Sequence, residues 1–184
     1  MTYIKRYPAY LIMLIILLAD QLSKLLVRMN MQMYESIPLL EKIFGDTFML
    51  THVNNTGAAF SIGFSSDLVN RIFFISTTVL ALIFILYLLY QSIHRIQVLA
   101  FGLVMGGAVG NLIDRVFYGG VTDFINVDFP DFIMQRFPVF NIADSAIFIA
   151  VCLLIIDMFF VKDAPAAEDA ASEQEFSPIH TKEI

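Results

Sequence analysis

Four long apolar segments run along the chain, and more polar stretches separate them. They cover about residues 9–28, 68–91, 98–113 and 139–161. Because a membrane helix needs roughly 20 mostly apolar residues, the pattern predicts four transmembrane helices. The third segment is the shortest and contains the overlapping G-x-x-x-G patterns Gly102/Gly106 and Gly106/Gly110. Small residues at this spacing allow close helix approach, and we therefore place this helix at the centre of the bundle.

The composition agrees with a membrane protein. The hydrophobic fraction is 58 %, whereas soluble domains contain about 45–50 % apolar residues. Much of the acidic charge lies in residues 163–184, which are rich in Ala, Glu and Ser and are predicted to form a disordered cytoplasmic tail. Residues 1–162 are predicted to form one four-helix domain. The single cysteine, Cys152, excludes an intrachain disulfide and a cysteine-cluster metal site.

Basic residues near the helix ends give an orientation. Lys5, Arg6, Arg95 and Lys162 all fall on one side of a four-span bundle. The opposite side carries a similar number, so the bias rests on the N-terminal pair and the very short connection that contains Arg95. The positive-inside rule then predicts that both termini are cytoplasmic.

The two longer connections lie on the other side and contain strand-like sequence. Residues 47–53 read as a short strand, 54–57 as a turn, and 58–62 as a return to extended chain. Residues 121–127 read as another strand after a Gly119-Gly120 turn. The predicted fold class is therefore an α-helical integral membrane protein with four transmembrane helices and a small extracytoplasmic β-sheet or hairpin.

Ionisable residues inside predicted spans point to a functional site, because they are costly in lipid. Asp20 precedes Lys24 by one helical turn, so the two can form an ion pair, with either a structural role or a role in supporting the site or binding substrate. Asp114 falls at the end of the third span beside Asn111 and Arg115. A carboxylate is unfavourable at a helix C-terminus, so we expect Asp114 to pair with a base, either Arg115 or Arg71.

Two further acids have ordinary interpretations when taken alone. Asp123 lies in the apolar stretch "GGVTDFINV", where a turn or sheet-edge position would accommodate it. Asp144 follows Asn141 by three residues at the start of the fourth span, as in a capping box. However, the chain that links the third and fourth spans is short enough to bring Asp123 and Asp144 together near one membrane face.

Two neighbouring carboxylates can share a proton, as in aspartic proteases, so that one acts as base and the other as acid. The sequence offers no motif-supported Ser/His or Cys/His alternative and no H-E-x-x-H metal motif. Two other functions remain open on the residues alone. One is a small proton- or ion-coupled membrane carrier, which would need acids along a path across the bilayer. The other is a non-catalytic assembly subunit with capped helices.

Five motifs in order resemble lipoprotein signal peptidase, also called signal peptidase II. They are "ADQLSK" at 19–24, "NNTGAAFS" at 54–61, "GGAVGNLIDR" at 106–115, "GGVTDFI" at 119–125 and "FNIADS" at 140–145. The resemblance covers about residues 9–161, and we see no departure at a motif position. It implies an aspartic endopeptidase of the bacterial inner membrane that removes the signal peptide from prolipoproteins, just before a cysteine carrying diacylglycerol.

The resemblance also implies roles for individual residues. Asp123 and Asp144 match the catalytic pair of the family. The supporting or substrate-binding positions are Asp20, Lys24, Asn54, Gly57, Asn111, Asp114, Arg115 and Asn141. The expected partners are the diacylglyceryl-prolipoprotein and membrane lipid. We expect no cofactor, no metal and no nucleic acid, a monomeric state, and an active site near the extracytoplasmic face.

Overall fold

A computed structural model describes residues 5–39, 41–45, 47–57, 66–128 and 137–160. The helices and strands follow the order α1 (Tyr7–Asn30), β1 (Ser36–Pro38), α2 (Glu41–Phe44), β2 (Phe48–Asn55), α3 (Asp67–Gln91), α4 (Arg95–Tyr118), β3 (Val121–Val127) and α5 (Ile142–Phe160). The predicted tail and the predicted extended segment 58–62 lie outside the described residues.

Helices α1, α3, α4 and α5 are each long and apolar enough to cross a membrane, which confirms the predicted number of spans within the described residues. The ends differ most for the third span, which runs over 24 residues rather than 98–113, so α5 with 19 residues is the shortest. Asn111 and Asp114 lie inside α4 and do not end it, because their side chains bind buried groups on neighbouring helices. The helix instead ends at Gly119, whose φ of 80° lies in the left-handed region.

Helix α4 occupies the centre of the bundle and packs against α1, α3 and α5. Its glycines allow this close approach. A Cβ atom added at Gly102 would lie 2.7 Å from the carbonyl oxygen of Ala9 on α1, and one added at Gly106 would lie 2.8 Å from Ile16 Cβ. Helix α3 contacts α4 on one side and exposes much of its apolar surface, as expected for a face turned to lipid.

A three-stranded antiparallel sheet with the order β1-β2-β3 lies at one end of the bundle. Strand β2 extends through Asn54 and Asn55, where the sequence had predicted a turn, because both residues pair with β3. Val27, Met31 and Phe124 form a buried apolar cluster between the end of α1 and the sheet. This packing fixes β3, and with it Asp123, over the ends of the helices.

Candidate active site

Asp144 lies in the first turn of α5 and takes part in a reciprocal cap with Asn141. The backbone N–H of Asp144 donates to Asn141 Oδ1 at 2.9 Å, and the backbone N–H of Asn141 donates to Asp144 Oδ2 at 3.2 Å. This is the capping box that the sequence predicted. The cap fixes the Asp144 side chain at the positive end of the helix dipole, which favours its ionised form.

Asp123 lies on β3 and is only 3 % exposed. Its Oδ1 accepts a hydrogen bond from Asn141 Nδ2 at 2.7 Å, and its Oδ2 accepts one from Asn55 Nδ2 at 3.1 Å. Burial, reinforced by the neighbouring Asp144 carboxylate, raises the pKa of Asp123 to about 7, although the two amide donors oppose the rise. Asp123 is therefore a carboxyl group that can hold a proton near neutral pH.

The two acids line one cavity of about 450 Å³. Asn111 and Arg115 also line it, together with Gly57 and the apolar side chains Val121, Phe137, Phe140 and Phe148. An adjoining groove of about 400 Å³ passes Asp144 and is almost entirely apolar, with Phe148 and Ile149 in its wall. The cavity thus combines two carboxyl groups with an apolar surface that continues along α5.

Asn111 connects Asp144 to buried charges on α1. Its Nδ2 donates to Asp144 Oδ1 at 2.8 Å, while its Oδ1 accepts from Lys24 Nζ at 2.8 Å. Lys24 and Asp20 are fully buried and form the predicted ion pair, with 2.8 Å between Nζ and Oδ2. Asp20 Oδ1 also accepts the backbone N–H of Ala143, in the first turn of α5. The pair therefore supports the helix that carries Asp144.

The prediction that Asp114 pairs with Arg115 or Arg71 is wrong. Its carboxylate instead contacts two bases on α1, Lys24 at 3.5 Å and Arg28 at 3.2 Å. The reason lies in the helix packing: Asp114 is fully buried on the side of α4 that faces α1. Sequence reasoning missed Arg28, although the spacing of Asp20, Lys24 and Arg28 puts all three on one helix face.

Of the remaining predicted residues, Arg115 and Gly57 line the cavity and Asn54 does not. The Arg115 guanidinium lines the cavity and lies over the ring of Phe74, 5.1 Å from its centroid. Asn54 is exposed on β2. The neighbouring Asn55 contacts Asp123, although it was not among the predicted site residues. Asn55 also accepts the backbone N–H of Gly57 at 3.0 Å, which shapes the strand end beside the cavity.

Histidine, cysteine and acidic side chains do not assemble into a metal-binding group anywhere in the described residues. All buried side-chain nitrogen and oxygen atoms in the part of the chain that the structure describes have hydrogen-bond partners. Two carboxyl groups that line one cavity can exchange protons with a molecule bound there.

Comparisons with known proteins agree on one family. The sequence model described as "Signal peptidase (SPase) II" matches residues 12–160. The lipoprotein signal peptidase of Halothermothrix orenii is 43 % identical over 148 residues, which cover 80 % of this chain and 92 % of that protein. The lipoprotein signal peptidase of Bacillus subtilis is 40 % identical over 152 residues, which cover 81 % and 91 %.

A solved structure of a bacterial membrane enzyme, determined by the in meso method at 2.3 Å resolution, has a similar fold. Its TM-score is 0.71 at 31 % identity, and the match covers 86 % of this chain and 94 % of that chain. The arrangement of four spans and a small sheet is therefore shared with a membrane enzyme over nearly its whole length.

Proposed function

The chain belongs to the signal peptidase II family, and from that premise we propose that Asp123 and Asp144 are the catalytic pair of an aspartic endopeptidase. Its substrates would be diacylglyceryl-modified bacterial prolipoproteins, cleaved just before the lipidated cysteine. The observation that carries the proposal is that two carboxyl groups with different surroundings line one cavity. Family membership favours this reading over the ion-coupled carrier.

The different surroundings suggest which acid holds the proton. Asp123 is almost completely buried on a strand, whereas Asp144 is partly exposed and sits in the first turn of α5. Desolvation favours the neutral form of a carboxyl group, and a helix N-terminus favours the ionised form. We assign Asp144 as the ionised base and Asp123 as the proton holder.

The proposed reaction begins with a water molecule between the two acids. Asp144 takes a proton from this water while the water oxygen attacks the scissile carbonyl carbon. Asp123 donates its proton to the carbonyl oxygen, and the product is a neutral gem-diol. The C–N bond then breaks: Asp144 returns its proton to the leaving amine of the cysteine, and Asp123 regains a proton from the diol. Both acids end in their starting states, as general acid–base catalysis requires.

The supporting residues have roles in holding this arrangement. Asn111 and Asn141 each donate to a carboxylate of the pair and orient it. Lys24 and Asp20 hold Asn111 and the start of α5. Arg115 and Gly57 both line the cavity, and Arg115 is proposed to contact the substrate backbone. Asn54 is proposed to support the site from β2, where it pairs with Thr122 on β3.

The shape of the cavity supports a substrate that arrives within the membrane. A prolipoprotein brings an apolar signal helix and acyl chains, and the groove beside Asp144 presents Phe148 and Ile149 to such groups. Such apolar groups can pass from lipid into an apolar groove without entering water. We propose that the substrate enters sideways from the bilayer, while water reaches the pair from the side of the sheet.

The sheet end of the bundle is proposed to face outward from the cytoplasm. Arg6 at the start of α1 donates to the carbonyl oxygens of Leu89 and Tyr90 at the end of α3. Arg95 begins α4 at this same end. Basic residues at the end opposite to the sheet agree with cytoplasmic termini under the positive-inside rule.

The test is cleavage of a purified diacylglyceryl-prolipoprotein by the reconstituted protein, with product measured by mass spectrometry. We expect Asp123→Asn and Asp144→Asn each to lower the rate at least about 100-fold, since each removes one proton-transfer group. Asp67→Asn is the matched control, because Asp67 is an exposed acid at the same end of the bundle. A folded Asp123→Asn or Asp144→Asn protein that cleaves at the control rate would refute the proposal.

A further inference from the structure

Arg28 ties the end of α1 to the strand that carries Asp123. Its Nη1 donates to Asp114 Oδ1 at 3.2 Å and to Thr122 Oγ1 at 2.9 Å. Its guanidinium carbon lies 4.1 Å from the centroid of the Tyr118 ring, which is close enough for a cation–π interaction. One side chain therefore contacts the last turns of α4 and the beginning of β3 at once.

Asp114 completes the hold on Thr122. Its Oδ2 accepts the backbone N–H of Thr122 at 2.9 Å, so that this residue is bound through both its backbone and its hydroxyl group. Asp114 is fully buried and Thr122 is 4 % exposed. The next residue is Asp123. Holding Thr122 through its backbone N–H and its hydroxyl group restricts the direction in which the following side chain leaves the strand.

The Arg28 side chain also balances the charge of the buried cluster that it forms with Asp20, Lys24 and Asp114. Asp20 and Asp114 supply two negative charges, and Lys24 and Arg28 supply two positive charges. Loss of Arg28 would leave one uncompensated negative charge in the cluster. A nearby negative charge disfavours ionisation of a carboxyl group. Asp144 on α5, Lys24 on α1 and Arg115 on α4 act electrostatically on Asp123, and Arg28 and Asp114 contact the preceding residue, Thr122.

We propose that Arg28 is a positioning residue for the cleavage reaction: through Asp114 and Thr122 it holds the part of β3 that presents Asp123 to the cavity, and its charge keeps the surrounding cluster neutral. This inference rests on the proposed function, because it takes Asp123 to be a catalytic residue. Arg28 itself does not line the cavity formed by the two acids. Its effect is therefore on the geometry and ionisation of Asp123 and not on substrate contact.

Three variants separate these two effects. Arg28→Met removes the charge and both hydrogen bonds. Arg28→Lys keeps the charge but loses the planar group that reaches Asp114 and Thr122 together. Thr122→Val removes the hydroxyl contact and leaves the backbone bond to Asp114. Arg71→Met is the matched control, because Arg71 lies at the same end of the bundle and contacts the carbonyl oxygen of Val116 instead of the charge cluster.

The measurements are kcat, KM and the pH dependence of kcat/KM for each reconstituted variant. We expect Arg28→Met to lower kcat about tenfold or more with little change in KM, because a small misplacement of a reacting group is costly. We also expect the alkaline limb of its pH profile to move to higher pH. Arg28→Lys should move this limb back toward its original position while kcat stays low. Thr122→Val should lower kcat without moving the limb.

Two results would overturn the inference. One is an Arg28→Met protein whose kcat and pH profile match those of Arg71→Met. The other is an Arg28→Met protein that is less stable but whose folded fraction keeps the original kcat and pH profile, since that describes a purely structural role. If Arg28→Met does not fold, a wild-type kcat in both Arg28→Lys and Thr122→Val would also overturn the inference. Asp123→Asn is assayed alongside: an active Asp123→Asn protein would refute the proposed function itself.

Discussion

Asn141 Nδ2 lies 2.7 Å from Asp123 Oδ1, while Oδ1 of the same amide caps the helix that contains Asp144. An amide group has its oxygen and nitrogen at fixed positions. The cap bond therefore decides that the NH₂ group points toward Asp123. The second N–H of this group reaches Asn111 Oδ1 at 3.2 Å. Helix formation and orientation of the two acids thus depend on one side chain.

Substitution of Asn141 should separate capping from orientation. Asn141→Ser keeps a good N-cap but removes the donor to Asp123. We expect it to retain most of the stability and to lose activity about tenfold or more. Asn141→Ala should lose the same activity and also about 1 kcal/mol of stability. Thermal unfolding together with cleavage rates measures both effects, and an Asn141→Ser protein with full activity would show that the orientation is not needed.

The pH dependence follows from the protonated state of Asp123. The pKa of this group is raised from an ordinary value of 3.8 to about 7, and the proposed reaction needs its proton. We expect kcat/KM to fall as the pH rises through about 7, by about tenfold per unit well above it. Because the two acids interact, the measured value belongs to the pair. A rate that stays constant from pH 6 to 9 would contradict the assignment.

The same shift has a consequence for stability. The folded protein holds the Asp123 proton more tightly than the unfolded chain does, so this contribution is fully present below the unfolded value of 3.8. It is lost as the pH rises toward about 7, and stability should therefore decline over this range. Asp123→Asn is the control, because it removes the titrating group. Thermal unfolding at several pH values should show a smaller decline for this variant.

The apolar runs predicted the spans because each helix must present about 20 apolar residues to lipid. The capping box at Asn141 and Asp144 could also be predicted, since both residues lie within one helical turn. Partners that are distant in the chain could not. Arg28 and Asp114 are 86 residues apart, and only the packing of α1 on α4 brings them together. Strand β1 has three exposed residues and is defined by its pairing with β2.

Gly110 should be sensitive to any added side chain because of its contact with Asp20. A Cβ atom at this position would lie 2.5 Å from Asp20 Oδ2, the oxygen that pairs with Lys24. We expect Gly110→Ala to displace this carboxylate and to lower both stability and turnover. Gly102→Ala is the matched control, since it crowds Ala9 on the same helix pair away from the charge cluster. Gly102→Ala should lower stability and leave the turnover of the folded protein nearly unchanged.

The comparison of these two variants is made on cleavage rates per folded molecule. A larger loss of turnover for Gly110→Ala than for Gly102→Ala would assign the effect to Asp20 and Lys24. Equal turnover for the two folded variants would mean that the ion pair serves only the packing of α1 against α4.

Asp157 is a buried acid at the end of α5 remote from the two-acid cavity. It is 6 % exposed, and its oxygens accept hydrogen bonds from Gln97 Nε2 at 2.6 Å and His94 Nδ1 at 2.9 Å. His94 is also the N-cap residue of α4. These contacts join the beginning of α4 to the end of α5, and they identify Asp157 as a residue that stabilises the bundle.

Asp157→Asn should therefore lower stability without changing catalysis. The new amide replaces one acceptor oxygen with a donor, which then faces the donor group of either Gln97 or His94. Such a mismatch at a buried position costs about 1–3 kcal/mol. We expect a lower thermal midpoint and an unchanged cleavage rate per folded molecule. A folded Asp157→Asn protein with a strongly reduced rate would show that this end of the bundle affects the reaction, in contrast to its separation from the cavity.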